Sequence, residues 1–230
     1  MPGRGQSLNG SHAEVGTLSR DVGGHLRTSR PYRGWMARRN RVQVADALYH
    51  AGSRGIRRSP IFADDDDRSL FLAILGDVVR RFGWSCHAYC LMSNHYHVAL
   101  RTPDANIGDG MHRLNGLYAQ AFNRRHRFKG HLFEERYWST VVETEEHSLN
   151  LMRYIVLNPV RAGMCALPHQ WIWSSYRATV GLDPRPSHLD LHWMKEWAGS
   201  ERPHVVYRSF VLEGLENGTP QPPANGVTDT

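Results

Sequence analysis

Two short apolar runs, residues 84–92 and 95–101, are separated only by Ser93-Asn94. A two-residue polar break between strand-length runs is the connection of a β-hairpin. Before it, Leu70, Phe71, Leu72, Ile74, Leu75, Val78 and Val79 have helical spacing; after it, so do Met111, Leu114, Leu117, Tyr118, Ala121 and Phe122. A hairpin between two amphipathic helices restricts the chain to a mixed sheet-and-helix fold.

The flanking segments complete the pattern. Residues 42–50 carry enough alternating apolar side chains for a first strand, and Gly52-Ser53-Arg54-Gly55-Ile56-Arg57-Arg58 reads as a basic loop after it. Asp64-Asp65-Asp66-Asp67 opens the first helix as cap and dipole partner, and Gly83 ends it. Residues 111–127 form the second helix. A fourth strand falls within 133–143, with Trp138, Thr140 and Val142 on one face. A third helix spans 145–158 and is closed by Pro159. The first six elements, β-α-β-β-α-β, predict a ferredoxin-like α+β fold with an antiparallel four-stranded sheet, and the third helix is an addition. Residues 168–181, with Trp171, Trp173 and Tyr176, predict an aromatic-rich extension, and 189–198 and 204–214 two short helices. Residues 1–35 and 217–230 have the composition of disordered segments. Met36 reads as an alternative start. The expected organisation is a 1–35 extension, a 36–182 domain, a 183–216 helical extension and a 217–230 tail.

Within the hairpin, His95 and His97 are two apart and share one face of the third strand, leaving Tyr96, Val98 and Leu100 for the other. Such a pair can offer two imidazoles to one divalent ion, although paired strand histidines are also common as structural residues. On the third helix Asn150, Tyr154 and Asn158 recur every four residues and form one polar stripe. If that helix lies on the open sheet face, Tyr154 stands opposite the histidines. A phenol is a weak nucleophile at neutral pH, and a divalent cation beside it would polarise a phosphodiester and orient it for in-line attack. Imidazole plus oxygen ligands suit Mn²⁺ or Mg²⁺.

The net charge is +6, and 26 of 28 basic residues are arginine, the side chain best shaped for bidentate phosphate contact. Residues 1–60 hold 11 Arg against Glu14, Asp21 and Asp46, whereas residues 183–230 are net acidic. Arg54, Arg57 and Arg58 in one cluster and Arg124, Arg125 and Arg136 in another are candidate DNA-backbone contacts. Cys86, Cys90 and Cys165 form no disulfide framework, which points to a reducing cytoplasm. Cys86 and Cys90, on one face of a strand, would sit about 13 Å apart, too far to share zinc. No apolar run is long enough to span a bilayer.

Several separated motifs carry a resemblance. Tyr89-Cys90-Leu91-Met92-Ser93-Asn94-His95-Tyr96-His97, Arg153-Tyr154-Ile155-Val156-Leu157-Asn158-Pro159-Val160-Arg161-Ala162-Gly163 and Trp173-Ser174-Ser175-Tyr176 resemble the HUH single-tyrosine transposases, and more narrowly the REP-associated tyrosine transposases. Ala47-Leu48-Tyr49-His50 with Arg54-Gly55, Phe122-Asn123-Arg124-Arg125 and Gly130-His131-Leu132-Phe133 extend the likeness over roughly residues 36–182. The resemblance implies a metal-dependent transposase that cuts and rejoins single-stranded DNA carrying hairpins or palindromic repeats through a 5′-phosphotyrosine. By position it implies His95, His97 and Asn158 as metal ligands and Tyr154 as nucleophile. It implies a monomer or homodimer associated with the bacterial nucleoid. Two alternatives stay open: a domesticated protein that binds hairpin DNA without cutting it, and an RNA-binding ferredoxin-like domain. Tyr118 and Tyr137 are rival nucleophiles, and Tyr96 and Trp138 are candidate base-stacking residues.

Overall fold

The computed structural model describes residues 43–216. The extension over 1–35, the alternative start at Met36 and the tail over 217–230 lie outside the described residues. The order is β1 (Ala47–Arg54), α1 (Asp65–Phe82), β2 (Ser85–Leu91), β3 (His95–Thr102), α2 (Ile107–His126), β4 (Trp138–Val142) and α3 (Glu145–Arg161). The sheet runs β2-β3-β1-β4 with every neighbour antiparallel. This is the expected ferredoxin-like arrangement, with α1 and α2 covering one face and α3 lying on the other.

Alternation assigns the side chains to the two faces. Tyr49, Ala51, Tyr96, Val98 and Leu100 pack with Phe71, Leu75 and Val78 of α1 and Met111, Leu114 and Tyr118 of α2. Leu48, Ala88, Cys90 and Ala99 pack with Leu151, Met152, Tyr154 and Ile155 of α3. The Asp run caps α1 as its composition suggests. Asp64 accepts from the Asp67 amide at 3.0 Å, and Gly83 ends the helix at φ 65°.

Three local expectations are corrected. The first strand lies at Ala47–Arg54, not 42–50. Asp46 takes a left-handed turn at φ 58°, and the preceding segment folds back so that the Tyr49 hydroxyl bonds both the amide and the carbonyl of Val44. Gly52, which looked like loop, is strand because only hydrogen fits there: a Cβ would stand 2.2 Å from the Tyr96 carbonyl oxygen and 2.5 Å from the Trp138 ring. Secondly, β2 carries an irregularity between Cys86 and Ala88 that reverses its side-chain parity. Cys86 therefore packs on the α1–α2 side and Cys90 on the α3 side, rather than sharing a face. Thirdly, α3 does not stop at Pro159 but runs through it to Arg161. One proline removes one amide donor, and packing on both sides of this helix offsets that loss. Leu151, Met152 and Ile155 face the sheet, while Val156 and Leu157 face a third cluster with Tyr176, Val180, Met194, Tyr207 and Val211.

That third cluster belongs to the C-terminal extension, which contains α4 (Tyr176–Thr179), α5 (His192–Ala198) and α6 (Pro203–Glu216). Before α4, the aromatic segment docks on the outer edge of β2. The Leu91 amide donates to the Trp173 carbonyl at 2.9 Å, the Ser175 amide to the Tyr89 carbonyl at 2.9 Å, and the Trp171 indole to the Leu91 carbonyl at 3.0 Å. Arg153 of α3 holds α6 in place, its guanidinium lying 4.2 Å from the Phe210 ring centroid.

Candidate active site

The β3 parity sends His95 and His97 to the face under α3, and the β1 register sets Gly52 beside His97 and Arg54 beside His95. His50, on the same face of β1, joins them: its Nε2 lies 3.0 Å from Nδ1 of His97, with the rings stacked at 5.2 Å. Tyr154 comes down from α3 onto this pair. Its ring centre is 5.8 Å from that of His97 and 5.9 Å from that of His50, nearly perpendicular to both. Trp138 of β4 closes the side, edge-on to His50 at 4.5 Å and to His97 at 5.4 Å, in the space that Gly52 leaves. The Arg161 guanidinium lies 5.1 Å from the Tyr154 ring centroid, at the far end of the same helix.

The rings are buried, and burial decides their charge. Desolvation lowers the His50 pKa to about 3, and it lowers that of His97 well below the usual histidine value, helped by the neighbouring His50, His95 and Arg54. His97 is therefore a neutral imidazole, the form that can ligate a metal. His95, 9 % exposed, stands 5.0 Å from His97 between ring centroids, and its Nδ1 lies 2.6 Å from Oδ1 of Asn94. Because α3 continues through Pro159, Asn158 sits one turn beyond Tyr154 within the helix. It is buried, and its Nδ2 donates to the Tyr154 carbonyl at 3.3 Å, so its amide oxygen is the atom with which it could ligate. Among the described residues no group of three or more His, Cys, Asp or Glu side chains is arranged to hold an ion. An ion here would rest on the imidazoles of His95 and His97 completed by amide, phosphate and water oxygens, a donor set that suits Mn²⁺ or Mg²⁺.

The rival tyrosines lie elsewhere. Tyr118 and Tyr137 are buried in the α1–α2 cluster, and the Tyr118 hydroxyl donates to the Ile61 carbonyl. Tyr96 is in the same cluster, its hydroxyl on Asn115 Oδ1 at 2.6 Å, which removes it as a base-stacking residue. Asn150, the first member of the polar stripe, accepts from Arg153 at 2.7 Å.

The arginine clusters divide. A bridge between Gly55 and Phe133, and the bond from the Ile56 amide to the Leu132 carbonyl at 3.0 Å, join the loop after β1 to the loop before β4. Arg57, Arg58 and Arg136 are exposed along these two loops, and Arg124 is exposed on the last turn of α2. Arg125 has another occupation. It bonds Asp64 and Asp67 at 2.6 Å each and Asp66 at 2.9 Å, fastening the end of α2 to the start of α1. That ion-pair cluster already engages its charge.

Residues 43–158 match the family described as "Transposase IS200 like". The chain belongs to the IS200-like transposase family. Among solved structures, a REP-associated tyrosine transposase determined with a REP hairpin superposes with a TM-score of 0.55 at 16 % identity, covering 68 % of this chain and 93 % of that one. A Deinococcus radiodurans R1 protein solved as a candidate transposase gives a TM-score of 0.38 at 22 % identity over 50 % of this chain and 93 % of its own. No curated protein matches in sequence. The first superposition independently supports the fold just described.

The residues that sequence reasoning did not assign to the site are His50, Asn94 and Arg161. All three fall inside the motifs quoted above. Only strand register brings His50 to His97, and register is not visible in a single sequence.

Proposed function

We propose that this protein cuts and rejoins single-stranded DNA with Tyr154 as nucleophile and a divalent cation held by His95, His97 and the amide oxygen of Asn158. The observation that carries the reading is the perpendicular approach of the Tyr154 ring to His97 and His50, beneath a helix of a family whose members are transposases. When bound, the cation would neutralise phosphate charge and hold the phosphodiester in line. The phenolic oxygen of Tyr154 attacks phosphorus, the P–O3′ bond breaks, and a 5′-phosphotyrosine and a free 3′-hydroxyl result. Trp138 packs against His50 and His97, and those two rings pack against the Tyr154 ring. Arg161, against the Tyr154 ring, supplies positive charge near the scissile phosphate. Arg54 at the end of β1, Arg57, Arg58 and Arg136 on the adjoining loops and Arg124 on the last turn of α2 take the DNA backbone. The substrate class follows the superposed relative, which was solved with a hairpin: DNA that presents a hairpin beside the cleavage point.

The test uses labelled oligonucleotides from the repeats flanking the native gene, with Mn²⁺, followed by denaturing gel electrophoresis. Wild type should give a covalent protein–DNA band that EDTA abolishes. Tyr154→Phe should give none while retaining hairpin binding. An adduct formed by Tyr154→Phe would remove the nucleophile assignment, and hairpin binding without any wild-type adduct would favour the non-cutting alternative.

A further inference from the structure

The amide of Asn94 lies between two features that the proposed mechanism treats as separate, the metal-binding imidazole of His95 and the basic loop after β1. Its Nδ2 donates to the backbone carbonyl of Arg58 at 3.0 Å, and its Oδ1 lies 2.6 Å from Nδ1 of His95. Chemistry fixes which end points where. A carbonyl can only accept, so the amino end of the amide must face Arg58. The oxygen then faces His95, and an oxygen can only accept from a ring N–H. His95 must therefore carry its proton on Nδ1, which leaves the lone pair on Nε2 for a metal. The backbone carbonyl of Asn94 accepts from the Gly55 amide at 2.8 Å, and the Ile61 amide donates to the adjacent Ser93 backbone carbonyl at 3.0 Å, so the hairpin turn is sewn to both ends of the basic loop.

The loop itself is held in a costly shape. Arg57 and Arg58 both have left-handed backbones, φ 52° and 59°, in consecutive positions. Non-glycine residues adopt that region at a cost of about 1 kcal/mol or more each, which surrounding contacts must offset. The bond from Asn94 to the Arg58 carbonyl is one such contact. Both arginine side chains are exposed, where a DNA backbone can reach them.

We propose that Asn94 is a positioning residue that sets the tautomer of His95 and couples it to the conformation of the Arg57–Arg58 loop, so that DNA on the loop and metal on His95 strengthen each other. This rests on the reading of His95 as a ligand, but its first half is testable without metal. In metal-free protein, long-range ¹H–¹⁵N NMR should find His95 of wild type protonated on Nδ1. Asn94→Ala should lose that preference, while the His97 resonances, held by His50, stay put and report an intact fold. Asn94→Asp, which keeps an oxygen for His95 but loses the donor to Arg58, should retain the tautomer. Finding wild-type His95 protonated on Nε2, or unchanged in Asn94→Ala, overturns the proposal.

The coupling is read with Mn²⁺ by EPR and a hairpin oligonucleotide. Saturating DNA should tighten Mn²⁺ binding to wild type about 5-fold or more, and reciprocally Mn²⁺ should tighten DNA binding. Asn94→Asp should bind each ligand with the coupling reduced to less than 2-fold. Full coupling in Asn94→Asp overturns the role of the Arg58 bond. Failure of wild type to bind Mn²⁺ would overturn the metal reading of the site, and the tautomer measurement would still decide what Asn94 does to His95.

Discussion

A histidine kept neutral inside a protein carries a stability signature in its pH dependence. His87 on β2 is buried beside Trp193, with Asp190 3.9 Å from its Nε2. Burial lowers its pKa to about 4, and the Asp190 charge only partly opposes that. His50 and His97 are lowered for the same reason. In the unfolded chain each titrates near 6.5. Between that value and the folded one the unfolded state binds more protons, so falling pH favours unfolding. The stabilisation from neutral burial is complete above pH 6.5 and is lost progressively toward pH 4 for His87. Each such group contributes a slope of at most about 1.4 kcal/mol per pH unit. Urea denaturation midpoints of the wild type should therefore drop across this window, and His87→Gln should flatten the dependence. An equal slope in the variant would show that His87 titrates alike in both states. The pairing of His95 with His97 and of Tyr154 with Asn158 is written in periods of two and four, but their roles, and the choice of Tyr154 over Tyr118 and Tyr137, came from the resemblance. His50 is not written so: it lies 47 positions from His97 and shares no period with it. Asn94 was seen only as a turn residue, since the bond its side chain makes depends on where the β1 loop returns.

At the level of elements, boundaries departed from sequence reasoning wherever a close approach outweighed composition. Gly52 and Ser53 look like loop because glycine and serine usually mark one. Here the missing side chain lets β1 lie against the Tyr96 carbonyl while the Trp138 ring crosses above it toward His50 and His97. Likewise Pro159 usually ends a helix, but α3 is packed on two sides and continues through it. The parity change near His87 left no trace in the sequence, and it moved Cys86 to the opposite face. The order and type of elements were nonetheless legible, because long amphipathic periods state them redundantly. Gly52 offers the direct test. Gly52→Ala puts a methyl group into space already held by backbone and indole, so it should cost about 1–3 kcal/mol of stability. It should also turn the Trp138 ring away, removing its ring-current shifts from the His50 and His97 protons. Unchanged stability and shifts would mean that the indole does not depend on this gap.

Taken whole, the molecule has α3 as its middle layer. On one side lies the sheet with its histidines, on the other the C-terminal helices, and the Tyr154 side chain borne on α3 is only as well fixed as both contacts. The extension does a second thing: it covers the β2 edge of the sheet. An antiparallel sheet with β2 at its edge would present unpaired amides and carbonyls to any passing strand. Leu91, Tyr89 and Cys86 instead bond Trp173, Ser175 and Asp190, the last through the Asp190 amide to the Cys86 carbonyl at 2.8 Å. The family match ends at residue 158, before any of these partners. A chain cut after Gly163 would keep every candidate site residue yet uncover the β2 edge together with Val156 and Leu157, which pack on Tyr176, Val180 and Tyr207 of the extension. Such a fragment, residues 41–163, should associate at micromolar concentration in light scattering while the full chain does not. The added mass should shrink when a charge is placed on the uncovered edge, as with Ser85→Lys at the half-buried start of β2, because a lysine on an open strand blocks pairing. A fragment that stays monomeric, binds hairpin DNA and forms the Tyr154 adduct at the wild-type rate would show that neither the edge bonds nor the backing of α3 matters to the site. The geometry argues for the opposite outcome, because α3, which carries Tyr154, buries Leu151, Met152 and Ile155 against the sheet and also Val156 and Leu157 against the extension.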